Sequence, residues 1–102
     1  MKKIFIYIIL LNIIHVSAVY TQSVKGIIYE LKDNKEIPLA GANIYWINTT
    51  VGTSADVNGR FELPSENIAD KRFIASFIGY RNDTITVNGQ SYFKVILKDI
   101  LD

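Results

Sequence analysis

The amino-acid sequence predicts an all-β fold, a seven-stranded antiparallel β-sandwich. Short runs rich in β-branched and aromatic residues recur along the chain, and clusters of glycine, proline, asparagine and aspartate separate them. Within most runs apolar and polar residues alternate, as they do in strands that bury one face. No stretch after residue 18 has the periodicity of an amphipathic helix. These three observations together favour two packed sheets.

Seven strands are predicted from these runs. In the first, Val24, Gly26 and Ile28 share one face, and Lys25, Ile27 and Tyr29 share the other. In the second, Ala42, Ile44 and Trp46 share a face, and we expect Trp46 in the core. The fifth run, RFIASFI, is almost continuously apolar, which predicts burial on both faces. The predicted strands cover residues 24–31, 42–47, 53–55, 60–63, 72–78, 81–87 and 92–97.

Turn chemistry sets the connections between these strands. Residues 33–36 form a charged connection, and Asn88-Gly89 is the strongest hairpin signal. Residues 38–61 are predicted to form a β-meander. Its turn at residues 56–59 would use side-chain acceptors and a glycine with positive φ. A structural turn motif is therefore predicted at Pro38, Gly41, Asp56, Asn58, Gly59 and Gly79.

The first 18 residues have the pattern of a helical signal peptide. A basic start, MKK, precedes an apolar run at residues 4–11, and small residues lead up to Ala18. The run is shorter than the ~20 apolar residues of a membrane span. We therefore predict export with cleavage between Ala18 and Val19. The expected organisation is a signal peptide at 1–18, a short segment at 19–23, the β-sandwich at 24–98 and a tail at 99–102.

Composition excludes several functional classes. The chain has no cysteine and one histidine, His15, which lies in the predicted leader. Imidazole or thiol catalysis and the usual zinc sites are therefore not expected in the exported part. Without Lys2 and Lys3 the net charge is about −1, and the charges are scattered, so nucleic acid is not an expected partner and membrane association is expected only through a partner. A small exported domain without disulfides is expected to gain stability from a neighbouring domain or partner.

Two groups of residues are candidates for binding sites. Asp56, Asn58 and Gly59 match part of a calcium loop, but Glu62 lies too close to act as its distal acid, so we predict a structural turn and no metal or cofactor. Tyr29 and Tyr45 are the predicted interaction surface, for a partner or for sugar rings. No catalytic residue is predicted.

Several short segments carry a resemblance to a known family: VKG at 24–26, PLAGANI at 38–44, GT at 52–53, DVNGRF at 56–61 and FIGY at 77–80. Their order resembles the carboxypeptidase regulatory-like domain family, whose members have a transthyretin-like (prealbumin-like) sandwich. The Gly-Ala-Asn, Asp-x-Asn-Gly-x-Phe and Ile-Gly-Tyr version is most similar to the N-terminal extension of TonB-dependent outer-membrane receptors. There the domain precedes a plug and a barrel.

The resemblance implies a non-enzymatic module in the periplasm or at the outer membrane of a Gram-negative-type bacterium. It would act by protein–protein docking, to another envelope protein or to a following plug and barrel, and the chain would be a truncated receptor or a fragment of one. Residues 100–102 resemble the start of the segment that leads into such a plug. The alternatives are a free-standing carbohydrate- or peptide-binding module and an accessory domain of a peptidase.

Overall fold

The computed structural model describes residues 22–101, which form eight β-strands and no helix. The predicted signal peptide, with its cleavage site at Ala18 and Val19, lies outside the described residues. The strands are β1 (Ser23–Lys32), β2 (Lys35–Pro38), β3 (Asn43–Trp46), β4 (Gly52–Ser54), β5 (Arg60–Pro64), β6 (Arg72–Ser76), β7 (Asp83–Thr86) and β8 (Tyr92–Leu97).

The strands form two four-stranded sheets, which confirms the predicted all-β sandwich. In the first sheet β1 is central: β5 and β2 pair with successive parts of one edge of β1, and β8 pairs with the other edge. The second sheet has the order β4-β3-β6-β7. All pairs are antiparallel except β1 with β8, which is parallel. The parallel pair arises because the chain crosses from the second sheet to the first before β8 begins.

The prediction of seven strands misses β2. Residues 33–36 are predicted to form one charged turn, whereas the turn consists only of Asp33 and Asn34, with φ of 51° and 62°. Two consecutive residues with positive φ are typical of a tight hairpin turn, and Asp and Asn tolerate this conformation well. The strand begins at once with Lys35, which pairs with Lys32.

The core lies between the two inner faces. Trp46, Phe73, Ile28, Ile44, Leu63 and Leu97 are its largest fully buried side chains. The alternation predicted for the first two strands is confirmed, since Val24, Ile28, Ala42, Ile44 and Trp46 are all buried.

Two predicted connections are wrong. The segment 38–61 is not a meander, because β3 and β4 belong to the second sheet and β5 pairs with β1 in the first. Asn88-Gly89 does not close a hairpin either, since β7 pairs with β6 and β8 with β1. In both cases the turn depends only on the residues within it. The strand that follows joins the other sheet, because its apolar face completes the core there.

The predicted burial of residues 72–78 on both faces is also wrong. The strand ends at Ser76, Ile74 is half-buried on the outer face, and the side chain of Ile78 is 94% exposed in the following turn. Beyond β8, Asp99 of the predicted tail forms an isolated antiparallel bridge with Tyr80. The end of the described chain is therefore attached to the turn after β6.

Candidate interaction surface

The predicted turn residues meet at one end of the sandwich. Gly41 (φ 83°) donates its N–H to the Ala55 carbonyl at 2.9 Å, which joins the β2–β3 turn to the β4–β5 turn. Gly59 (φ 75°) packs so closely that a Cβ at this position would lie 2.5 Å from the Ile28 carbonyl oxygen and 3.1 Å from Pro38. Gly79 (φ 88°) accepts a hydrogen bond from the Ile100 N–H at 3.0 Å.

Asp56 organises the β4–β5 turn. Its Oδ1 accepts hydrogen bonds from the backbone N–H of Asn58 and of Arg60, each at 2.9 Å. The N–H of Gly59 donates to the Asp56 carbonyl at 2.9 Å. Asn58 thus contributes its backbone N–H to the turn, whereas its side chain is predicted to act as an acceptor there. Among residues 22–101, no three His, Cys, Asp or Glu side chains are arranged to hold a metal ion.

Tyr29 and Tyr45 do not form one surface. Tyr29 is half-buried on the outer face of the first sheet, and Tyr45 is half-buried on the outer face of the second. The sandwich core separates them, because their neighbours Ile28 and Trp46 point inward. The two tyrosines are therefore separate candidates for contact with a partner.

The outer face of the first sheet has the more structured environment. Lys94 on β8 lies 5.5 Å from the centre of the Tyr29 ring, and its Nζ binds the Glu36 carboxylate at 2.6–2.7 Å. The cation–π contact and the ion pair hold the Lys94 side chain across the sheet. Ile96 pairs with Tyr29 on the same face, and Tyr92 is 57% exposed beside Lys25.

Strand β8 also presents an open edge. The Lys25 N–H donates to the Ser91 carbonyl at 2.9 Å, so the backbone groups of Ser91 and of every second residue after it point toward β1. The N–H and C=O groups of Tyr92, Lys94 and Ile96 therefore point away from β1. No other described strand pairs with this edge of β8. The sequence did not identify β8 as the edge strand, because the order of strands within a sheet cannot be read from the residues of one strand.

Tyr45 lies in neutral polar surroundings. It pairs with Gly52 on one side and Ile74 on the other, and the lining of a shallow depression beside it includes Asn43, Ser54 and Ser76. These side chains offer hydroxyl and amide groups without charge.

One contact between β1 and the turn after β6 has a clear electrostatic effect. The Tyr80 hydroxyl donates a hydrogen bond to Glu30 Oε2, and the Glu30 side chain is only 12% exposed. Because this hydrogen bond and the nearby negative charge favour the neutral phenol, they raise the pKa of Tyr80 to about 12.

In the part of the chain that the structure describes, no helix has the length and apolar character of a membrane span.

The known proteins that are similar to this chain include a bacterial receptor and a chain of a cohesin complex. The TonB-dependent receptor SusC of Bacteroides thetaiotaomicron is 39% identical over 77 residues, which cover 76% of this chain and 7% of the receptor. The chain thus spans only about 7% of the length of that curated relative. A chain in the crystal structure of a type II cohesin–X-dockerin complex from Acetivibrio cellulolyticus superposes with a TM-score of 0.59 at 18% identity, covering 76% of this chain and 58% of that one. At this identity the structural match supports the fold alone.

A family model extends the match over most of the described residues. The model of the CarboxypepD_reg-like domain matches residues 24–99, from the first core residue of β1 to the bridge residue Asp99. The matched range contains all three glycine turns that meet at one end of the sandwich. The chain therefore belongs to the carboxypeptidase regulatory-like domain family.

Proposed function

We propose that this chain is an exported, non-enzymatic module of the bacterial cell envelope that acts by docking to another protein. The similarity to a stretch of the receptor SusC carries this proposal, because SusC is a TonB-dependent receptor and is 39% identical to this chain over 77 residues. The apolar leader at residues 1–18 supports export. The partner would be an envelope protein, either a separate chain or the remainder of a receptor of this type.

The docking mode that the geometry supports is strand addition at β8. An exposed strand edge binds an extended segment through backbone hydrogen bonds, and side chains on the adjacent face add specificity. The edge of β8 offers the outward backbone groups of Tyr92, Lys94 and Ile96. Lys94 does not block this edge in the way that a protruding lysine does, because Tyr29 and Glu36 hold its side chain over the sheet.

The non-enzymatic part of the proposal rests on how the reactive side chains are used. Asp56 is occupied by two backbone N–H groups of its own turn, and Glu30 accepts the Tyr80 hydroxyl. Glu36 is paired with Lys94. These carboxylates thus stabilise turns and strands.

Site-specific photo-crosslinking tests the docking proposal. The full chain, with a photoreactive residue at Tyr92, is expressed in a bacterium with an outer membrane, and cell fractions are analysed for adducts and for the mature N-terminus. We expect an envelope location, a first residue of Val19 and one discrete adduct. The adduct should disappear in Lys94→Pro, which removes an outward N–H, and persist in Lys94→Ala.

The positional control is a crosslinker at Val51. This residue lies in the loop between β3 and β4, at the end of the sandwich opposite to the glycine turns. Equal adducts at Val51 and Tyr92 would contradict docking at β8. A cytoplasmic, uncleaved chain would contradict export independently of the docking result.

A second candidate function is glycan binding around Tyr45. The neutral hydroxyl and amide groups beside this half-buried ring suit a carbohydrate better than they suit a charged peptide. Titration of the chain with neutral oligosaccharides, followed by tryptophan and tyrosine fluorescence, should show saturable binding that Tyr45→Ala removes. Binding that is unchanged in Tyr45→Ala would exclude this surface.

A further inference from the structure

Two asparagine–glycine pairs occur in the chain, at residues 58–59 and 88–89, and no other asparagine precedes a glycine. In such a pair the backbone nitrogen of the glycine can attack the side-chain amide of the asparagine. The two groups are adjacent, and the glycine has no side chain to obstruct the attack. Asparagine is accordingly one of the thermolabile residues of proteins. Both asparagines are exposed, so exposure alone does not distinguish the two pairs.

The fold opposes this reaction at Asn58. The Gly59 N–H donates to the Asp56 carbonyl at 2.9 Å, and Gly59 is so enclosed that an added Cβ would lie 2.5 Å from the Ile28 carbonyl oxygen. The N–H groups of Asn58 and Arg60, on either side of Gly59, both donate to Asp56 Oδ1 at 2.9 Å. This carboxylate places a negative charge close to a nitrogen that would have to lose its proton in order to attack. The turn therefore protects Asn58.

The backbone of Gly89 is open. Its φ is 76°, and a Cβ added to it would meet nothing within 4 Å. Within residues 22–101 no group accepts a hydrogen bond from its N–H. Gly89 lines a depression whose described lining includes two basic residues, Lys25 and Lys71, and no acidic one, so the local charge does not oppose loss of the amide proton. The features that protect Asn58 are thus missing at Asn88.

We infer that Asn88 is a site of spontaneous deamidation and that Asn58 is not. The Gly89 nitrogen forms a bond with Cγ of Asn88, and the bond between Cγ and Nδ2 breaks. The side-chain nitrogen leaves as ammonia, with the proton that the Gly89 nitrogen has given up. Water then adds to one of the two carbonyl carbons of the cyclic imide. Its hydroxyl group stays on that carbon and its other proton returns to the nitrogen, which leaves aspartate or isoaspartate at position 88.

The modified chain should keep its fold. The Val87 N–H donates to the Lys71 carbonyl at 2.8 Å, and the Ser91 carbonyl accepts from the Lys25 N–H at 2.9 Å, so the chain is fixed on both sides of the bend. Isoaspartate lengthens the backbone by a methylene group, which the open bend between these two bonds can accommodate. The new carboxylate adds a negative charge, so anion-exchange chromatography should separate the product from the parent chain.

Peptide mapping by mass spectrometry tests the inference on the freshly purified full chain, sampled over time at mildly alkaline pH. We expect Asn88 to gain the mass difference between an amide and a carboxylic acid at least about tenfold faster than Asn58. The rate should rise with pH, because the attacking nitrogen must be deprotonated. Gly89→Ala should slow the reaction at Asn88 by about tenfold or more, since its methyl group crowds that nitrogen.

The matched control is the same chain unfolded in guanidinium chloride, where the turn around Asp56 is lost. Asn58 and Asn88 should then react at similar rates, because each is followed by glycine. Equal rates at the two asparagines in the folded chain, or an Asn88 that reacts only after unfolding, would overturn the inference. An Asn58 that stays slow in the unfolded chain would overturn it as well, since its protection would then come from neighbours in sequence and not from the turn.

Discussion

At the scale of single residues, Gly59 shows how one position joins separate parts of the chain. Its positive φ closes the turn that Asp56 organises, and its bare Cα allows the Ile28 carbonyl and Pro38 to approach. Gly89 has almost the same φ, 76°, but a Cβ added there would meet nothing within 4 Å. Comparing substitutions at the two glycines therefore distinguishes the cost of backbone strain from the cost of steric crowding.

We expect Gly89→Ala to lower the free energy of unfolding by about 1 kcal/mol, the cost of a left-handed conformation for alanine. Gly59→Ala should cost about 3 kcal/mol or more, because the added methyl group would also collide with backbone. Urea unfolding followed by circular dichroism measures both. Equal losses in the two variants would show that Gly59 is required for its φ alone.

Tyr80 gives a prediction about alkaline pH. Its folded pKa of about 12 exceeds the ordinary tyrosine value of about 10, so the native state favours the protonated phenol. The resulting stabilisation is complete below pH 10 and is lost as the pH rises from 10 to 12. The difference in free energy of unfolding between the parent chain and Tyr80→Phe should therefore shrink across this range.

Urea unfolding at a series of pH values between about 8 and 12 measures this difference, and Tyr92→Phe, which changes an exposed tyrosine, is the control. A Tyr80→Phe difference that stays constant with pH would contradict the raised pKa of Tyr80 in the folded state.

At the scale of elements, the pairing of β8 with β1 divides the residues of β8 into two sets. The backbone groups of one set face β1, and those of the other set face away from it. Val95 directs its backbone toward β1, whereas Lys94 directs its own away from it. Proline removes the N–H, so it is tolerated at an edge position with an outward N–H and disruptive at one inside the ladder. Substitutions at the two neighbouring positions should thus have opposite outcomes.

We expect Lys94→Pro to fold with a loss of about 1 kcal/mol or less relative to Lys94→Ala. Val95→Pro should be far less stable than Val95→Ala, because it loses a buried hydrogen bond as well as side-chain volume. Thermal unfolding of the four variants compares them. A stable Val95→Pro protein would mean that β8 uses the opposite edge to pair.

At the scale of the whole molecule, aromatic contacts join the sheets. Phe73 of β6 has zero exposed surface and lies 5.8 Å, 6.0 Å and 5.3 Å, ring centre to ring centre, from Trp46, Phe61 and Phe93. Phe61 and Phe93 belong to the first sheet, and Trp46 and Phe73 to the second. The Trp46 indole N–H also donates to the Pro64 carbonyl across the core, at 2.6 Å.

Phe73→Ala should lower the free energy of unfolding by about 3–5 kcal/mol, since it leaves a cavity between the sheets. A domain of this size has a stability of about 4–12 kcal/mol, so this loss is a large fraction of the total and the variant should unfold at clearly lower urea concentration. Near-UV circular dichroism, which reports the environment of Trp46, measures the unfolding of this variant. Phe77→Ala, at a half-buried position, should lose clearly less, and a similar loss in both would contradict a core centred on Phe73.

The sequence by itself determined the fold class, the sets of residues that share a face in the first strands, and the positions of most turns. Alternation of apolar residues and the φ preferences of Gly, Asp and Asn are local properties, so Ile44 and Trp46 lie in the core and Gly41 and Gly59 have positive φ, as predicted. Seven of the eight strands were predicted, with ends that differ from those observed by at most two residues.

Only the tertiary structure decided which strands pair and which surfaces are exposed. The strands after residues 56–59 and 88–89 pair with β1 in the first sheet and not with the strands that precede them in sequence. Pairing depends on the core, to which strands distant in sequence contribute. The same long-range packing places Tyr29 and Tyr45 on opposite faces, opens one edge of β8, and leaves Ile78 exposed in a run whose sequence predicts burial.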